Sequence, residues 1–275
     1  INEVFYNETV TVGAPYYNAV NGPVILLLLF IMGIGPNLSW KGTSNSNLKT
    51  NLLYPSIIAI ITFTFFFLSS NKPFMSSLAL SSIALVLSTI IFEWFRGSRS
   101  LIKNGTHWLY AFFKLISNNR KKYGGYIVHI SILLVALGVI GINFYQVKID
   151  KVVSVGERIA IGNYKIEIAE INENNFNDRR EKVATFLILD SNENIVNTLE
   201  GNNTFYPTFN MASIRAGILS SPIEDLYIIP SDFIDNDTMK LIISINPLVW
   251  WMWLGGPIFI LGTLISLWPR NFNKS

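Results

Sequence analysis

The 275 residues contain two histidines and no cysteine. Thiolate metal sites, cysteine nucleophiles, disulfides and thioether attachment to this chain are therefore excluded. His129 stands inside the apolar run YGGYIVHISILLVALGVIGINF. An imidazole among lipid tails is disfavoured, so such a residue faces a bundle interior and marks a ligand, an ion path or a proton relay. Its neutral nitrogen is a common axial ligand of haem iron. A histidine hydrogen-bonded to a neighbouring helix fits the residues equally well, and at this level both readings stay open. Gly124, Gly125, Ser131 and Ala136 are small enough nearby to admit a flat macrocycle or another helix.

Other reactive types read as structural. His107 adjoins Trp108 with no second histidine or carboxylate at ligand spacing, which is the pattern of a solvated or headgroup-level residue. Glu93, three residues before Arg96, reads as a local ion pair that eases burial rather than as a base. Trp250, Trp251 and Trp253 read as an interfacial anchor in preference to a cofactor-stacking surface. There is no phosphate-cradling Gly-rich loop with Lys, no HExxH, no serine nucleophile elbow and no histidine pair at helical spacing. Sequons at Asn7, Asn104, Asn202 and Asn236 are expected by chance in so Asn-rich a chain.

The elements that must hold these residues are membrane helices. Half the chain is apolar and 14% is charged, against about 25% charged in ordinary soluble domains. Five stretches, 23–40, 52–70, 74–95, 126–147 and 247–268, approach the roughly 20 residues a bilayer crossing needs. Pro23 is placed at the first turn of the first span. The sequence predicts an α-helical membrane protein of five transmembrane helices with an inserted, small all-β outer domain. Its parts are an outer segment 1–22, four helices over 23–147 with a basic inner loop at 96–124, the β domain 148–246, and a last helix with inner tail 247–275.

Charge sets the expected orientation. The 96–124 loop carries Arg96, Arg99, Lys103, Lys114, Arg120, Lys121 and Lys122 and no acid, so the positive-inside rule places it inside. Lys41, Lys49, Arg270 and Lys274 then also fall inside, and Glu3 and Glu8 outside. Block 146–246 falls outside with nine basic and fifteen acidic residues, a net of −6. Only Lys72, in the Asn71-Lys72-Pro73 turn, dissents. Basic residues gather only where this rule puts them, so nucleic-acid binding has no support. Within the block, Tyr164, Ile166 and Ile168 alternate with Lys165 and Glu167, and runs at 183–189, 195–199, 226–229 and 239–245 predict a sheet or partly open barrel of five to seven strands. The start at Ile1, without a signal-like n-region, fits a processed chain, a piece of something longer or an unusual start.

An ordered set of motifs carries a resemblance: Gly13-Ala14-Pro15-Tyr16-Tyr17, Gly33-Ile34-Gly35-Pro36, Glu93-Trp94-Phe95-Arg96-Gly97, then the run from Arg120 to His129, then Asp225-Leu226-Tyr227, and finally Asn246-Pro247 running through Trp253 to Gly256. In this order they resemble the C-terminal half of the CcmF family of cytochrome c biogenesis proteins. The resemblance implies a system I haem lyase that receives haem from the chaperone CcmE and works with a CcmH-type protein presenting apocytochrome c. It also implies a haem b between two transmembrane histidines, of which His129 matches the second, so that His129 becomes the cofactor-binding residue and axial ligand to the haem iron. The catalytic residues stay unassigned. The family's substrate-haem segment, its outer histidines and its first transmembrane histidine lie in the N-terminal half, so this chain is expected to be inactive without that partner. A separately encoded C-terminal subunit of a mitochondrial inner membrane and a fragment of a bacterial cytoplasmic-membrane protein both fit. The rival expectations are a non-catalytic structural or assembly subunit of a larger inner-membrane respiratory complex, and a transporter fragment. Transport is disfavoured by the few ionisable groups within the spans.

Overall fold

The computed structural model describes residues 13–35, 45–69, 73–102, 105, 107–190 and 193–269. Most of the predicted outer segment, with Glu3 and Glu8, lies outside these residues, as do Lys41, Lys72, Lys103, Arg270, Lys274 and the side chain of Lys49. The sequons at Asn7 and Asn104 also lie outside them. The chain divides into a helical unit, residues 1–136 with 255–275, and a second unit, residues 137–254.

In the helical unit, α1 spans Ala14–Ile34, α2 Asn45–Ser69, α3 Phe74–Ile102 and α4 Trp108–Asn118. It also holds most of α5, Arg120–Ile140, and of α6, Val249–Leu267. Helix α1 begins ahead of the predicted span, with Pro15 in its first turn. Pro23 therefore sits inside the helix, correcting its first-turn placement. The 96–124 segment is mostly helical rather than a loop, because α3 runs on to Ile102 and α4 and α5 occupy much of the rest.

Among the described residues four helices are long and apolar enough to cross a membrane: Asn51–Ser69, Phe74–Arg99, Arg120–Tyr145 and Val249–Leu267. The first predicted span is represented by a shorter apolar helix, Ala19–Ile34. This apolar stretch covers roughly 24 Å at about 1.5 Å per residue, less than a hydrocarbon core of about 30 Å, whereas the whole of α1, 21 residues, reaches about 31 Å. Several hydroxyls inside the helices are satisfied locally, although the buried Ser77 and Thr89 hydroxyls have no partner among the described residues. Thr62 and Thr64 donate to the carbonyls of Ile58 and Ile60 at 2.9 Å, and Ser88 to that of Ala84 at 2.6 Å. Such back-bonding lets a polar side chain sit in an apolar span without an unsatisfied donor. Leu29 of α1, Val86, Ile90 and Trp94 of α3, and Tyr123, Tyr126 and Leu133 of α5 form the buried cluster of this unit.

The second unit is a β-sandwich with nine antiparallel strands among the described residues, more than the five to seven expected. One sheet has the order β1 (Val147–Ser154), β9 (Thr238–Pro247), β8 (Glu224–Phe233), β7 (Gly217–Leu219). The other runs β2 (Arg158–Ile161), β3 (Tyr164–Asn175), β4 (Arg180–Leu189), β5 (Ile195–Tyr206), β6 (Met211–Arg215). The period-two pattern turns Ile166, Ile168, Phe186 and Ile188 of one sheet, and Leu226, Ile228, Leu241 and Ile243 of the other, into a common core.

The first and last strands of the sandwich are paired, Val147 opposite Ile245. This antiparallel pair brings the end of α5 and the start of α6 to one place. A π-helical turn, Gly141–Tyr145, leads from α5 towards β1. A Cβ on Gly141 would fall 1.9 Å from the Pro247 carbonyl oxygen, so only glycine fits that crossing. Gln146 donates to Asn246 Oδ1 at 2.6 Å across the same junction. Leu248, between β9 and α6, holds a positive φ of 66°, an uncommon conformation for a non-glycine residue. Its N–H donates to the Ile223 carbonyl at 2.9 Å, and the Trp251 indole donates to the Pro222 carbonyl at 2.9 Å. The tryptophan cluster is thus divided. Trp251 fastens the β7–β8 loop, Trp250 stands edge-on to it at 5.2 Å, and Trp253 is 67% exposed, as an interfacial anchor would be.

Candidate functional site

Helix α5 carries Lys121, Gly125 and His129 at intervals of four residues, and Lys122 and Tyr126 beside them. This spacing places all five along one face of the helix. Opposite lie Leu28, Ile31 and Met32 of α1 and Gly35 just past its end, again at helical spacing. The two faces line a cleft of about 640 Å³, within the roughly 300–1,000 Å³ usual for small-molecule sites. Its wall on α1 is apolar. On α5 it presents one imidazole and, two helical turns away, two lysines.

His129 is half-buried, and its Nδ1 atom is buried without a hydrogen-bond partner. The bond to a neighbouring helix that would make this residue purely structural is not formed among the described residues. The donor set fits a haem: an imidazole for an axial position, apolar side chains for the ring, and cations for acidic substituents.

The small residues around His129 have separate jobs. A Cβ on Gly124 would come within 2.7 Å of the Ser266 backbone nitrogen, so this glycine lets α5 and α6 touch. Gly262 and Gly255 of α6 make the complementary approaches, to Val128 and to the Ser131 carbonyl. A Cβ on Gly125 would meet nothing within 4 Å, which leaves that position open to the cleft.

The Glu93–Gly97 motif braces the lysine end. Glu93 is bonded to both Arg96 and Lys122, so the expected local ion pair exists and is joined by a second cation from α5. Arg96 also donates to the Asn51 side-chain oxygen of α2, and three helices are tied at one carboxylate. Trp94 stacks on Phe112 of α4 with centroids 4.4 Å apart and lies 5.4 Å from Tyr123. Gly97 leaves room for the Tyr123 hydroxyl, which would be 2.6 Å from an added Cβ. Lys122 further sits 5.8 Å and 5.9 Å from the Tyr123 and Tyr126 rings.

His107 takes the position before α4 in extended conformation, makes no capping bond, and is not part of the cleft. Among the described residues there is no cluster of three or more His, Cys, Asp or Glu able to hold a metal ion. The sequence pointed to His129. It missed Lys121, Lys122 and the α1 wall, because a stripe of charged or aliphatic residues at helical spacing has no signature until the facing helix is known.

Residues 144–247 match the family model described as the CcmF C-terminal beta-sandwich. Over 267 residues the chain is 21% identical to the cytochrome c-type biogenesis protein CcmF of Haemophilus influenzae, covering 96% of this chain and 40% of that protein. It is 23% identical to CcmF of Pseudomonas aeruginosa, covering 95% and 39%. A solved structure of cytochrome c heme lyase CcmF superposes with a TM-score of 0.70 at 24% identity, over 94% of this chain and 41% of that one. This last likeness speaks for the fold. The chain resembles the C-terminal part of CcmF and spans about two fifths of the length of these relatives.

Proposed function

We propose that this chain, an integral membrane protein similar to the C-terminal part of CcmF, forms that part of a haem lyase in cytochrome c maturation, with His129 as one axial ligand of a haem b in the α1–α5 cleft. The observation that carries the reading is that the half-buried His129 ring lines a cleft of about 640 Å³ and that its buried Nδ1 has no hydrogen-bond partner among the described residues. When bound, haem b would supply the electrons that keep an incoming haem reduced for thioether formation. His129 holds the site at its nitrogen, Leu28, Ile31 and Met32 exclude water, and Gly125 leaves space.

The remaining axial position and the catalytic groups belong in this reading to the N-terminal half of the same lyase. CcmE, a CcmH-type protein and apocytochrome c are the further partners. The architecture is five spans, α1 included, with the sandwich on the outer side of a mitochondrial inner membrane or a bacterial cytoplasmic membrane. Its acidic balance, net −6 over 146–246, would steer a basic client.

One alternative is a non-catalytic structural or assembly subunit that keeps the fold, for instance within a respiratory-chain complex. Purification with the companion half, a reduced visible spectrum of wild type and His129→Ala, and an assay of cytochrome c maturation separate the two. Joint loss of haem and maturation is the expected result. Unchanged maturation in His129→Ala would establish the structural alternative.

A further inference from the structure

The cleft holds two lysines, and among the described residues only one is paired with a carboxylate. Lys122 is bonded to Glu93, which also binds Arg96, and it lies over two tyrosine rings. Lys121 lines the same cleft and has no carboxylate partner among the described residues. A cation at the border of an apolar span is placed at a cost unless it meets an anion or headgroups. Lys121 and His129 are eight residues apart on one helical stripe, roughly 12 Å along the axis. A flat, apolar ring bound at His129 with carboxylate substituents towards the lysine end would place a carboxylate beside the Lys121 ammonium.

We propose that Lys121 is the cation that pairs with a carboxylate of the bound tetrapyrrole, and that Glu93 holds Lys122 and Arg96 out of that role. Lys121 is a positioning and tuning residue. The inference rests on the haem reading of the cleft and adds to it the group that recognises the acidic edge. It has an electrostatic consequence. Ferric haem carries one more positive charge than ferrous haem, so a nearby cation favours the reduced form and a nearby carboxylate favours the oxidised form.

The test is a spectroelectrochemical titration of the haem-loaded complex with its companion half, comparing wild type with Lys121→Gln, Lys121→Arg, Glu93→Gln and His129→Ala. Lys121→Gln is expected to keep the visible spectrum, because the axial ligands are untouched. Its midpoint should move to lower potential, by about tenfold in the ferric–ferrous equilibrium or about 59 mV for one electron. Lys121→Arg should restore the wild-type midpoint, and Glu93→Gln should move it upwards by freeing Lys122. An unchanged midpoint in Lys121→Gln, with His129→Ala devoid of haem, would overturn this inference alone and make Lys121 a headgroup anchor. Haem retained in His129→Ala would instead overturn the reading on which the inference rests.

Discussion

Gly124 and Gly125 are adjacent in sequence and opposed in environment. A methyl group on Gly124 would strike the Ser266 backbone at 2.7 Å, whereas one on Gly125 would meet nothing within 4 Å. The first glycine closes a helix–helix contact and the second keeps a cavity open. On an α-helix, consecutive residues point about 100° apart, so one Gly-Gly pair serves both surfaces.

Leucine at the two positions should therefore give different defects. Gly125→Leu is expected to leave the thermal stability of the detergent-solubilised complex near wild type while haem content falls, read from the reduced visible spectrum. Gly124→Leu should overpack the α5–α6 contact and lower stability by about 1–3 kcal/mol. Equal haem loss with equal destabilisation in both variants would show that the cleft at Gly125 is not a ligand space.

Trp94 joins α3 to α4 and α5 through its stack on Phe112 and its contact with Tyr123. Trp94→Ala should cost about 3–5 kcal/mol, as large aromatic deletions from packed cores do. Limited proteolysis should then cut sooner within the released α4, residues 108–118. Protection equal to wild type in that stretch would mean that α4 is held by other contacts.

Asp225 is 1% exposed, and its Oδ1 accepts from the Ser220 hydroxyl at 2.6 Å and the Ser221 N–H at 3.2 Å. Asp225→Ala leaves these donors without their acceptor, a loss of about 1–3 kcal/mol. Hydrogen exchange should rise in residues 220–224, the loop whose Pro222 carbonyl receives the Trp251 indole. Trp251→Phe removes that single bond and should raise exchange there to a smaller degree.

Burial and the neighbouring Glu224 carboxylate push the Tyr164 phenol from its ordinary value near 10 up to about 12. The folded chain therefore holds this proton where the unfolded chain has lost it. The resulting stability is fully present below pH 10, and it declines from there until pH 12. The number of tyrosines ionising near pH 10 should be the same in the folded wild type and in folded Tyr164→Phe, because Tyr164 is not among them, and Tyr164→Phe should flatten the alkaline loss of stability. A steep loss between pH 10 and 12 that Tyr164→Phe leaves unaltered would assign it elsewhere.

Long apolar runs and charge bias made the membrane helices legible from the residues alone. The alternation around Tyr164, Ile166 and Ile168 made the β domain legible too. Element ends were less readable. Pro23 reads as a helix start, yet it lies inside α1, because a membrane-type helix tolerates proline where neighbouring contacts compensate. The strand count was low because β6, Met211–Arg215, is exposed along its whole length and shows no alternation against a core. The basic segment 96–124 read as a loop because its charge masked the helical spacing of Trp108, Phe112 and Leu115.

Residue chemistry by itself determined that His129 is the one imidazole set within an apolar span, that no thiol chemistry is available, and that Glu93 has a cation within reach. These follow from residue type and from separations of a few positions along one helix. Only the tertiary structure decided that Gly124 serves a helix contact and Gly125 a cleft, that Glu93 binds Lys122 as well as Arg96, and that Lys121, without a carboxylate partner among the described residues, lines the same cleft as His129. Those distinctions depend on which helix faces which, and that is set by long-range packing that no local spacing encodes.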